Sequence, residues 1–68
     1  MILTSKYRTR PIKVQSWCIH LPTGEETFYA YALVLSENGP IYHSLTYQGA
    51  DCKQRAEQAC QEWIDTHF

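Results

Sequence analysis

Apolar and polar residues alternate in two of three consecutive stretches of the chain, and a helical period then takes over. From Ile12 to Leu21 the run IKVQSWCIHL sets Ile12 and Val14 against Lys13 and Gln15, before Trp17, Cys18 and Ile19 blur the pattern. Residues 26–35, ETFYAYALVL, are rich enough in aromatic and β-branched side chains for a strand that is apolar on both faces. Residues 41–48 alternate cleanly, with Ile41, His43, Leu45 and Tyr47 against Tyr42, Ser44, Thr46 and Gln48. Turn residues at Leu21-Pro22-Thr23-Gly24 and Asn38-Gly39-Pro40 separate the three runs.

Asn38-Gly39 is a strong hairpin signal, because a type I′ turn needs two residues that tolerate positive φ. With Asn38 and Gly39 at the centre of the turn, Glu37 pairs with Pro40, Leu35 with Tyr42, Leu33 with Ser44, Ala32 with Leu45 and Ala30 with Tyr47. One face then collects Phe28, Ala30, Ala32, Val34, Ile41, Leu45 and Tyr47, with His43 near its end. The other collects Tyr29, Tyr31, Leu33, Leu35, Tyr42, Ser44 and Thr46. The looser turn at 21–24 leaves open which side of the first strand joins which face.

Residues 51–67, DCKQRAEQACQEWIDTH, carry the helical period. Asp51 is a good N-cap, and Gln54 completes a capping-box spacing. At 100° per residue Cys52, Ala56, Ala59, Cys60, Trp63 and His67 form one stripe, while Lys53, Glu57, Gln58, Gln61, Glu62 and Asp65 point elsewhere. The first ten residues show no period and read as a basic lead-in arm, with Arg10-Pro11 extended. The chain is therefore predicted to be a single α+β domain over 1–68: arm 1–10, sheet 12–48, helix 51–67. Its fold is a three-stranded antiparallel β-meander followed by one C-terminal α-helix packed on one face. The small alanines mark the face the helix approaches.

One helix covers one face. The face carrying Tyr29, Tyr31, Leu33, Leu35 and Tyr42 is left to water, to a partner, or to the arm folding back with Leu3 and Tyr7 as plugs. A contiguous apolar patch of that kind usually marks an interaction site, and tyrosine supplies large contact area with a polar tip. Sixty-eight residues also make a marginal core, which a second sheet stacked about 10 Å away would deepen. The chain is accordingly expected to be a non-catalytic, adaptor-like regulatory module. It would bind a protein partner or form a homodimer through Tyr29, Tyr31, Leu33, Leu35 and Tyr42.

Charge supplies the alternative. Lys6, Arg8, Arg10 and Lys13 fall in the first thirteen positions with no acid among them, whereas every acid lies later, although the net charge is only −1. Such asymmetry hints at an acidic partner. It also suits a solvated arm that protects a sheet edge. Lys53 and Arg55 stand in the first helical turn, where cations oppose the macrodipole but suit a phosphate. The stretch Lys53-Gln54-Arg55-Ala56-Glu57-Gln58-Ala59 after antiparallel strands resembles the end of a double-stranded-RNA-binding domain. The resemblance covers only the second half of the chain; the family's first helix is absent and its basic run is reduced to two residues. Arg8, Arg10, Lys53 and Arg55 are thus the candidate nucleic-acid contacts, with the tyrosines as a base-stacking platform.

Other chemistry finds little support. Cys18, Cys52 and Cys60 are odd in number and irregularly spaced, which argues against a disulfide framework and for a reducing compartment. Cys18 and His20 share a strand face and could offer two metal ligands. No close pair of the usual zinc spacing accompanies them, however, and Cys52 and Cys60 are about 12 Å apart along a helix. A cysteine nucleophile at Cys18 or Cys52, with His20 or His43 as base, lacks an orienting third group. No cofactor, metal or small-molecule substrate is expected. Nothing in the chain approaches a membrane span or a signal-peptide core, so a cytoplasmic location and no membrane partner are expected.

Overall fold

The computed structural model describes residues 2–68, the side chain of Leu3 excepted. The fold is α+β, an antiparallel sheet with one C-terminal helix. Five strands build the sheet rather than three: β1 (Ile2–Tyr7), β2 (Arg10–His20), β3 (Glu26–Ser36), β4 (Gly39–His43) and β5 (Tyr47–Gln48). They lie in the order β1-β2-β3-β4, with β5 continuing beside β3 past the end of β4. The helix α1 spans Cys52–His67.

The first correction concerns the arm. Residues 2–7 add to β2 as an edge strand, with Ser5 opposite Ile12 and Tyr7 opposite Arg10. The connecting turn places Arg8 at φ 49° and Thr9 at φ 67°, the sign that a type I′ hairpin demands at both central positions. Neither residue is one that normally signals such a turn, and a β-branched threonine there is strained. Contacts with the helix hold it. Arg8 pairs with Asp65 at 3.2 Å, and the Tyr7 hydroxyl donates to the same carboxylate at 2.9 Å.

The second correction is the β3–β4 register. The turn centres on Glu37-Asn38, with Ser36 opposite Gly39. Gly39 alone of the pair Asn38-Gly39 takes positive φ, at 111°, so the type I′ turn is not formed. A bulge between Val34 and Leu35 then puts Leu35 opposite Pro40, Val34 opposite Tyr42 and Leu33 opposite His43. Tyr42 consequently faces the helix, stacked on Trp63 with ring centroids 5.0 Å apart. His43 moves to the open face. Ile41 and Leu45, expected beneath the helix, stand 41% and 75% exposed. Ala30 and Tyr47 do pair as the pattern indicates.

The core is Ile12, Val14, Ala30, Ala32 and Val34 from the sheet against Cys52, Ala56, Cys60 and Ile64 from the helix. The helical set repeats every fourth residue, one ridge seated on the alanine-floored strand. Trp63 is only half-buried at its margin and His67 is exposed. Asp51 precedes the helix without a side-chain cap hydrogen bond: at φ −100° and ψ 14°, its backbone is not in the extended region from which a cap carboxylate reaches back. Among the described residues, no helix is long and apolar enough to cross a membrane.

The helix runs along the sheet but is shorter than its longest strands. At about 3.3 Å per residue the eleven residues of β2 or β3 span roughly 36 Å. Sixteen helical residues at about 1.5 Å span only roughly 24 Å. The excess projects at the 17–28 end as a two-stranded ribbon, and the molecule extends 45 Å in its longest direction.

Candidate functional site

Strand alternation carries the open face. Because Ile12 and Val14 are buried under the helix, Lys13, Gln15 and Trp17 point to the opposite side. Pairing sets Gln15 beside Tyr31, Trp17 beside Tyr29 and Lys13 beside Leu33. Tyr31 is the centre of the group. Its hydroxyl donates to Gln15 Oε1 at 2.7 Å, its ring stacks on His43 at 4.6 Å and 15°, and Trp17 meets it edge-on at 5.8 Å. Trp17 also stacks on Tyr29 at 5.8 Å and 16°. His43 is oriented by its Nδ1, which donates to the Ser44 carbonyl at 2.6 Å.

Neighbouring strands lie about 4.8 Å apart. Near-parallel rings on adjacent strands at such centroid distances therefore stand upright and present their edges outward. Tyr29, Tyr31, Leu33 and Leu35 are all half-buried by one another, while Trp17 and Ile19 stand 39% and 44% exposed. The strand positions on this face include Lys6 and Lys13 and no acid. Among the described residues the arm does not cover the face, since residues 2–7 lie in the plane of the sheet and Tyr7 turns toward Asp65 on the helix; the side chain of Leu3, the other expected plug, lies outside the described residues.

Of the expected interface residues, the structure brings together Tyr29, Tyr31, Leu33 and Leu35 and removes Tyr42. Trp17, Gln15 and His43 join them. Trp17 continues the alternation from Ile12 through the stretch where neighbouring apolar residues blur it, and His43 was hidden by the bulge.

The basic candidates do not converge. Arg8 is paired with Asp65, and Arg10 lies 3.8 Å over the Phe68 ring, both at the C-terminal end of the helix. Lys53 and Arg55 sit at its other end, with Arg55 4.9 Å over Tyr47. None of the four borders the tyrosines as a continuous cationic strip.

Two of the three thiols are shifted upward. Burial, and then the charge of Glu26, push the Cys18 thiol up from its ordinary range. Burial and then Glu57 push Cys60 up to about 11. A raised pKa keeps the thiol protonated, the opposite of what nucleophilic catalysis needs. Cys52 and Cys60 are core residues. On the helix side of the ribbon tip, Cys18, His20 and Glu26 bring one sulfur, one imidazole and one carboxylate within 4.8 Å of one another.

A scan against protein-family models found no match, and comparisons with curated proteins and with solved structures found no significant similarity. The functional reading rests on the chain itself.

Proposed function

We propose that this protein is a non-catalytic protein-binding module whose docking surface is the open sheet face centred on Tyr31. The observation that carries the reading is the upright aromatic group of Trp17, Tyr29, Tyr31 and His43 on a face that no other described segment overlies. Tyrosine and tryptophan held by their neighbours lose little entropy on binding, which is the composition of interface centres. The ring geometry favours protein over nucleic acid. Base stacking requires an aromatic face turned outward, and here the faces are spent on one another. A second copy is the simplest occupant, because stacking two such sheets would give each small domain a second core layer.

Sedimentation equilibrium of the wild-type chain and Tyr31→Ser tests this. The wild type is expected to self-associate, and the variant to be monomeric with an unchanged far-UV spectrum. A wild-type monomer at all concentrations defeats self-association. If that monomer also binds a single-stranded oligonucleotide, with affinity falling steeply as salt rises, nucleic-acid recognition replaces the protein reading.

A further inference from the structure

The overhanging tip of the β2–β3 ribbon lacks support of the ordinary kind. Among the described residues, β2 pairs with β1 as far as Gln15, and β3 pairs with β5 as far as Tyr29. The last bond to β3 from outside the ribbon among the described backbone contacts is Gly49 N–H to the Phe28 carbonyl at 2.9 Å. From Cys18 and Phe28 to His20 and Glu26 the described pairs join β2 to β3, and Phe28 on the helix side is 46% exposed. A two-stranded ribbon without cover is marginal in water. Cys18, His20 and Glu26 converge at this place. His20 and Glu26 are direct cross-strand partners, and Cys18 lies one alternation back on the same face. The turn beyond is closed by Leu21 N–H to the Glu25 carbonyl at 2.8 Å and Gly24 N–H to the Leu21 carbonyl at 2.9 Å.

We propose that this tip binds a thiophilic divalent cation of the zinc class through Cys18 Sγ, a ring nitrogen of His20 and a carboxylate oxygen of Glu26. A surface ion pair accounts for His20 and Glu26, whose Nδ1 and Oε1 are 3.3 Å apart, but not for a thiol within 4.8 Å of both. Tetrahedral zinc, with bonds of about 2.0–2.3 Å, sets its ligand atoms roughly 3.3–3.8 Å from one another. The donors, all within 4.8 Å, reach that spacing by side-chain rotation, for which the exposed His20 and Glu26 are free. One sulfur and one imidazole exclude a magnesium or calcium site, which would be built from oxygens. Three protein ligands leave a position open to water or to a group from another molecule. The ion would add a side-chain clip to the backbone ladder that joins the two strands as far as His20 and Glu26.

Cobalt(II) titration of the reduced full-length chain under anaerobic conditions is the test. One equivalent is expected to produce a thiolate-to-cobalt charge-transfer band with intense tetrahedral visible bands, both abolished by zinc. Cys18→Ser should remove the charge-transfer band. His20→Ala and Glu26→Gln should each weaken binding by at least the roughly 10- to 100-fold typical of losing even an outer partner. Zinc should raise the melting temperature of the wild type and not of Cys18→Ser. Octahedral spectra without a thiolate band would overturn the proposal, as would unchanged binding in Cys18→Ser. Loss of the band on substituting Cys52 or Cys60 instead would also overturn it.

Discussion

Replacing Ser44 by alanine tests how the sheet survives the break between β4 and β5. For three residues the chain leaves the side of β3, and Ser44 closes the gap. Its N–H donates to the Ala32 carbonyl at 2.9 Å, and its Oγ accepts from the Ala32 N–H at 2.8 Å. The hydroxyl proton goes to the Leu45 carbonyl at 2.9 Å. Ala32 is fully buried and Ser44 nearly so, so no water can replace the lost acceptor. The Leu45 carbonyl belongs to an exposed residue and can be rehydrated. The cost is then that of one orphaned buried N–H, about 1–3 kcal/mol. A chain of 68 residues at about 0.05–0.15 kcal/mol per residue has only roughly 3–10 kcal/mol in all. Urea denaturation at fixed protein concentration, followed by tryptophan fluorescence, should show the midpoint fall with the slope unchanged. Ser36→Ala is the control. That hydroxyl donates to the Gly39 carbonyl at 2.8 Å and accepts from Asn38 N–H in an exposed turn, where water can substitute, so its loss should cost less than about 0.5 kcal/mol. Equal effects from the two serines, or less than about 0.5 kcal/mol for Ser44→Ala, would refute the assignment of Ser44 as a surrogate ladder residue.

Tyr42→Ala should destabilise the fold by about 1–3 kcal/mol, through lost packing and the Trp63 stack, while leaving sedimentation mass unchanged; Tyr31→Ser should do the reverse. Cys60 predicts an alkaline loss of stability. With its thiol raised from 9.0 to about 11, both states are protonated below pH 9, and between about 9 and 11 only the unfolded chain releases the proton. Stability should fall across that window by an amount on the order of 2–3 kcal/mol at about 1.36 kcal/mol per unit. Denaturation midpoints of the wild type and Cys60→Ala at pH 8 and pH 11 would show whether the variant loses less.

The helix and the regions of β2, β3 and β4–β5 could be read from the chain, although the run at 41–48 is two strands, Gly39–His43 and Tyr47–Gln48, rather than one. Period 3.6 runs through Cys52, Ala56, Cys60 and Ile64, alternation through 41–48, and a dense apolar run through 26–35. The N-terminal strand had no such signal. Ile2, Thr4 and Lys6 share one side, a mixed set, and the turn at Arg8-Thr9 lacks the glycine or asparagine that normally announces a hairpin. Its positive φ values are sustained by Asp65, more than fifty residues away, a contact no local pattern contains. The bulge at Val34/Leu35 was equally hidden. A displacement of one residue there exchanged Tyr42 for His43 on the open face, because strand alternation makes every register error a change of side. The face itself was legible and its membership was not. For the same reason the third donor at the ribbon tip was missed. Glu26 reaches Cys18 and His20 only through the β2–β3 register, which the five-residue turn at 21–25 left undetermined.

Two shortages in this chain explain where its unassigned chemistry lies. A single helix must serve a sheet with two faces, so one face keeps its aromatic groups uncovered. That helix is also about 12 Å shorter than the ribbon it packs on, taking the rises per residue of helix and strand, so it stops short of the tip on its own side. The proposed docking face and the donor cluster both involve β2 and β3, yet they occupy opposite sides. Odd-numbered Trp17, Tyr29 and Tyr31 point one way, while even-numbered Cys18, His20 and Glu26 point the other. Alternation therefore makes the two proposals separable. A partner seated on Tyr31 leaves the donors free, and an ion at the tip leaves the aromatic face as it was. Their only necessary link is mechanical, since an ion that stiffens the tip also fixes the strand pair on which Trp17 and Tyr29 stand.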